Sequence, residues 1–68
     1  MPDKKKVGER LKRLRGHKSR AAVANDLGVT SHAIWLWEHG FRTPRDSMKM
    51  KLASYYKRSV NRIFYKEE

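Results

Sequence analysis

Three histidines, seven carboxylates and seventeen lysines and arginines are the groups in this 68-residue chain that could do chemistry. His32 and His39 stand seven positions apart. On a helix that is a rise of ~10.5 Å, too far for one metal ion held by bonds of ~2 Å. Cysteine is absent, so neither a thiolate metal site nor a disulfide framework is available. No Ser/His/Asp grouping and no carboxylate pair suited to acid–base work occurs, and neither an enzyme nor a cofactor is expected. What remains is charge: a formal +10 and a pI near 10.4, which suit a polyanionic partner.

That charge is unevenly placed. Residues 1–20 carry a net +7, residues 21–41 a net −2, residues 42–58 a net +5, and residues 59–68 none. A chain of this length is expected to form one domain over residues 1–68, with Met1–Lys6 as a loose basic arm. Domains this small bury only ~60% of their unfolded surface, which leaves no room for a large enclosed cavity. No 18-residue apolar run is present to span a membrane, and no apolar signal core follows the charged start, so no membrane partner is expected.

The elements that must position these charges read as helices. Val7, Leu11 and Leu14 repeat at i, i+4 and i+7, and Gly16 ends that run. Ser19 can cap a second helix through Ala21–Ala24 and Leu27, closed by Gly28. Thr30 can cap a third containing Ile34 and Trp37 and ending at Gly40. After Pro44, Asp46 or Ser47 can cap a fourth through Met48, Leu52, Tyr55 and Tyr56, with Met48 and Met50 as core filler. Ser59 starts a last turn or two with Val60, Ile63 and Phe64. No segment alternates with period two for long enough to make a strand. The expected fold class is all-α, a compact bundle of about five short helices.

Arg20–His39 is the informative stretch. Ala24 lets two helices cross closely, Gly28 permits the positive φ of a tight turn, and Ile34 and Trp37 pack the third helix back onto the second. This is a helix-turn-helix arrangement, whose second helix is the one that enters a DNA major groove. Trp35 lies ~160° around that helix from Trp37, so it either meets DNA or a partner, or packs on its own chain. Arg20, Arg42, Arg45 and the amide ends at Ser19 and Thr30 are the candidate phosphate contacts, which fix register without reading sequence.

Ala24–Ile34, Trp37-Glu38-His39-Gly40, Pro44, Leu52-Ala53, Tyr55-Tyr56, Ser59-Val60 and Ile63-Phe64 together resemble the phage Cro/repressor helix-turn-helix family. The resemblance spans roughly residues 7–65. It implies a five-helix domain and a bacterial cytoplasmic repressor that occupies a double-stranded operator, usually as a twofold dimer. Pairing is then expected to be weak, through the fifth helix or on the DNA. Ser31, His32 and Leu36 fall where that family places base-reading side chains, with Thr30 and Trp35 beside the backbone. Arg15 and Glu38 match its Arg–Glu pair, Arg13 being the substitute if the shortened first connection shifts the register. Arg20 stands where the family usually has Gln. Lys57 stands where it commonly has Gly, and must take a left-handed conformation unless the loop differs. The alternatives are the antitoxin half of a toxin–antitoxin pair and a basic RNA-binding protein. The second is disfavoured because deep A-form grooves do not admit a helix.

Overall fold

Each helix start has a local cause. In the computed structural model, which describes residues 3–66, the Asp3 carboxylate accepts from the Lys5 amide at 2.9 Å and caps α1, Lys4–Arg15. Lys4–Lys6 are therefore the first turn of a helix, not the loose arm expected from their charge; Met1 and Pro2 lie outside the described residues. Ser19 Oγ accepts from the Ala22 amide at 3.0 Å and starts α2, Arg20–Leu27. Thr30 Oγ1 accepts from the Ala33 amide at 3.1 Å and starts α3, Ser31–Glu38. The fourth helix, α4, is Asp46–Tyr56, with Arg45 at its cap position and no side-chain cap. The expected cap at Asp46 or Ser47 is not made, because both already lie inside the helix. Asn61–Tyr65 closes the described chain as a single π-helical turn.

The described residues form an all-α bundle with no strand. Val7 and Leu11 of α1, Val23, Ala24 and Leu27 of α2, Ile34 and Trp37 of α3, Leu52 and Ala53 of α4, and Ile63 and Phe64 of the last turn make one buried core. Met48 packs against it, but Met50 is 67% exposed, so the pair does not fill the core together. At two positions apart on α4, only one of them can face inward. The apolar residues of the last turn face their own core, leaving Tyr65 outside with its hydroxyl accepting from Lys49 Nζ at 2.8 Å. No helix among the described residues is long and apolar enough to cross a membrane.

Two features set how α1 lies on α3. Gly8 is buried where α1 crosses the end of α3, and a Cβ there would stand 2.8 Å from the Trp37 carbonyl oxygen. Gly40, just past α3, would bring a Cβ to 3.1 Å from Lys5 Cα. Nothing larger than glycine fits at the first crossing without moving backbone. On the far side, Asp26 of α2 is tied to α4: Tyr55 Oη donates to Asp26 Oδ2 at 2.6 Å and Lys18 Nζ donates to Tyr55 Oη at 2.7 Å. That hydrogen bond from Tyr55, helped by Lys18, holds the Asp26 carboxyl below its ordinary value.

The end of α4 carries the one non-glycine residue with positive φ among the described residues. Lys57 has φ 58° and ψ 46°, the left-handed conformation, and its amide donates to the Ala53 and Ser54 carbonyls to close the helix. A side chain in that region costs ~1–2 kcal/mol. Lys57→Gly should therefore raise the urea midpoint, by about 1 kcal/mol of stability, whereas Gly8→Ala should lower it by about 1–3 kcal/mol through overpacking.

Candidate nucleic-acid interface

The two eight-residue helices α2 and α3 are joined by Gly28-Val29-Thr30. Gly28 takes φ 72° and ψ 32°, and its amide and that of Val29 donate back to Ala24 and Asn25 carbonyls, so the chain turns sharply within three residues. Ala24, Ile34 and Trp37 are buried along the seam between the helices. The α2–turn–α3 unit is thus fixed from inside, and the opposite side of α3 is left to solvent.

Glu38 holds α3 in place. Its side chain is 1% exposed, yet it is fully paired. Arg15 Nε donates to Oε2 at 2.6 Å and Arg15 Nη2 to Oε1 at 3.1 Å, a two-pronged contact from α1. Arg20 Nε of α2 donates to Oε1 at 3.2 Å. One buried carboxylate therefore joins three helices. The hydrogen bond to Glu38 raises the Arg15 guanidinium above its ordinary value. Arg13 does not take this place; it turns to another cleft. Arg20, a candidate phosphate contact, gives its Nε to this interior pair, while its side chain stays 34% exposed on the rim of the hollow beside Ser31 and His32.

On the outer side of α3 the named residues fall into two groups. Ser31, His32 and Trp35 line a shallow hollow with Arg20 and Ala21. Leu36 lines a second, with Arg42, Arg45 and Pro44 of the loop that follows. Ser31 and His32 are exposed and Leu36 is half-buried. Thr30 uses its hydroxyl to cap α3. Arg42 and Arg45 are exposed at the far end of the helix.

Trp35 is the centre of a ring stack made within its own chain. His39 lies over it at 4.1 Å between centroids and 19° between planes, and Phe41 follows at 5.6 Å and 11°. His32 is nearly parallel to it, at 6.1 Å and 9°. Trp35 thus packs on its own chain, and part of the indole remains open to solvent. The sequence reading did not pick out Phe41, which is 65% exposed, or the stacking role of His39. The i, i+3, i+7 spacing of His32, Trp35 and His39 carried the signal. Gly8 was missed as well, although an isolated glycine inside a helical run marks a close approach.

Behind α3, burial pushes the Tyr56 hydroxyl up to about 12, with the negative Glu38 adding to it. The stability contributed by the neutral phenol is whole below pH 10 and is lost as pH climbs towards about 12. Thermal unfolding followed through that window should show a steeper fall for the native chain than for Tyr56→Phe. At neutral pH, Glu38→Gln should cost about 3–5 kcal/mol, because the Arg15 and Arg20 guanidinium groups lose the buried carboxylate that pairs with them. Arg15→Ala should cost more than Arg20→Ala, since the Arg20 side chain is 34% exposed and the Arg15 side chain 13%. Chemical denaturation of the three variants gives the order.

No protein-family model matches the chain and no curated protein matches it, so the role of this surface rests on its own chemistry.

Proposed function

We propose that the protein is a sequence-specific double-stranded DNA-binding regulator of the Cro/repressor type, acting in the bacterial cytoplasm by occupying an operator and excluding polymerase. The observation that carries this reading is the outer side of α3: exposed Ser31 and His32, with Leu36 beside them, on a helix locked from within by the Arg15–Glu38–Arg20 cluster. A groove-reading helix must be rigid and must present short polar or apolar side chains to base edges. Ser31 and His32 supply hydrogen-bonding groups, and Leu36 supplies an apolar contact for a thymine methyl. Arg42 and Arg45 border the same surface and would engage phosphate.

Dimensions agree with paired binding on DNA. The domain measures 29 × 22 × 21 Å, so two copies fit side by side on half-sites ~34 Å apart. Since Ile63 and Phe64 are spent on the protein's own core, the two copies meet on the operator with little apolar contact between them.

Selection of bound duplexes from a random pool, followed by titration at several salt concentrations, tests the reading. A palindromic preference and a steep linear fall of log K with log salt are expected. His32→Ala should relax preference at one base pair, by about 1–3 kcal/mol, and Arg42→Ala should weaken all duplexes alike and reduce the salt slope by about one. Absence of any preferred sequence overturns it.

A further inference from the structure

The cations of the two basic flanks do not all gather around α3. Arg10 and Arg13 of α1, Lys57 and Arg58 of the connection after α4, Arg62 of the last turn and Lys66 line one open cleft of about 630 Å³. Its floor is Leu14 and Ile63. The helix α1 separates this cleft from α3. Gly8 and Arg15 mark the side of α1 that meets α3, and they are seven residues apart, nearly in line along the helix. Arg10, Arg13 and Leu14 lie ~140–240° around from Gly8 at 3.6 residues per turn.

We propose that this cleft binds the phosphate backbone of a second DNA duplex, so that one molecule can hold two duplexes at once. The inference rests on the operator reading for the first of them. Three observations support it. Among the described residues no carboxylate pairs with Arg13, Lys57, Arg58 or Arg62, so no ion pair there offsets their mutual repulsion. Arg10 is braced, donating through Nη1 to the Ile63 carbonyl at 2.9 Å and through Nη2 to the Lys66 carbonyl at 2.8 Å, which fixes one wall of the cleft to the other. The remaining cations are spread over two walls of an open groove. That arrangement fits an extended polyanion carrying one charge per ~1.7 Å better than a compact anion that only two or three side chains can reach. A protein partner would need exposed apolar anchors, and Leu14 is only half open while Ile63 is buried.

A capture assay with the full chain tests this. The selected operator duplex is fixed to beads, protein is added, and binding is read; a labelled second duplex of unrelated sequence is then supplied. The native chain should retain the second duplex. Arg13→Ala/Arg62→Ala should bind the first duplex as well as the native chain does and retain about tenfold less of the second. Lys12→Ala/Lys51→Ala, which removes the same charge from exposed residues outside the cleft, should retain it fully. Equal loss in both double variants, or undiminished retention by the cleft variant, overturns the proposal; the latter result would assign bridging to paired copies. Binding of the first duplex without retention of the second overturns this proposal alone. Failure to bind the first overturns the operator reading together with it.

Discussion

A single buried carboxylate organises the molecule. Glu38 sits at the C-terminal end of α3, where the helix dipole is itself negative, and it is almost wholly removed from water. Arg15 and Arg20 reach it from α1 and α2 and supply the counter-charge that a buried carboxylate requires. The requirement propagates outward. Arg15 must approach at hydrogen-bond range, so α1 must lie close on α3, and Gly8 is the residue that makes room. Arg20 must begin α2 within reach, so the short connection capped by Ser19 must hold that geometry. The outer side of α3 is rigid because the inner side answers an electrostatic demand.

The same arrangement explains why the outer side of α3 is nearly neutral while the chain is strongly basic. Arg15 and the Nε of Arg20 are engaged by Glu38, and the outer side of α3 carries rings rather than lysines or arginines. The stack of His39, Trp35 and Phe41 runs off the end of the helix and stiffens the chain where it leaves for Arg42 and Arg45. Among the other cations, Arg42 and Arg45 lie at the rim of α3 and six more line the cleft behind α1. Positive charge and the short uncharged side chains of α3 therefore occupy different parts of one small surface.

Much of the fold was legible in the sequence because it depends on local chemistry. Ser19, Thr30 and Gly28 announce the turn by cap and backbone preference, and Ala24, Ile34 and Trp37 announce its seam by spacing. The left-handed Lys57 was signalled by the resemblance alone, which has glycine commonly at that position. What was not legible depends on tertiary placement. The sequence cannot show that Arg20 turns inward, because nothing in α2 reveals how deep Glu38 lies. Nor can it show that Arg13 and Arg62, far apart along the chain, line one cleft. The loose arm failed for a simpler reason: Asp3 caps α1, and a run of lysines is a good helix former once capped.

Lys57 carries a consequence for the protein's lifetime. A left-handed lysine shifts the balance towards the unfolded chain by about one order of magnitude, given its cost of ~1–2 kcal/mol. In a domain with so small a core, that unfolded fraction is what proteases encounter first. The same residue lines the cationic cleft, which a glycine would leave short of one charge. Charge on that rim and persistence in the cell are therefore set against each other at a single backbone position.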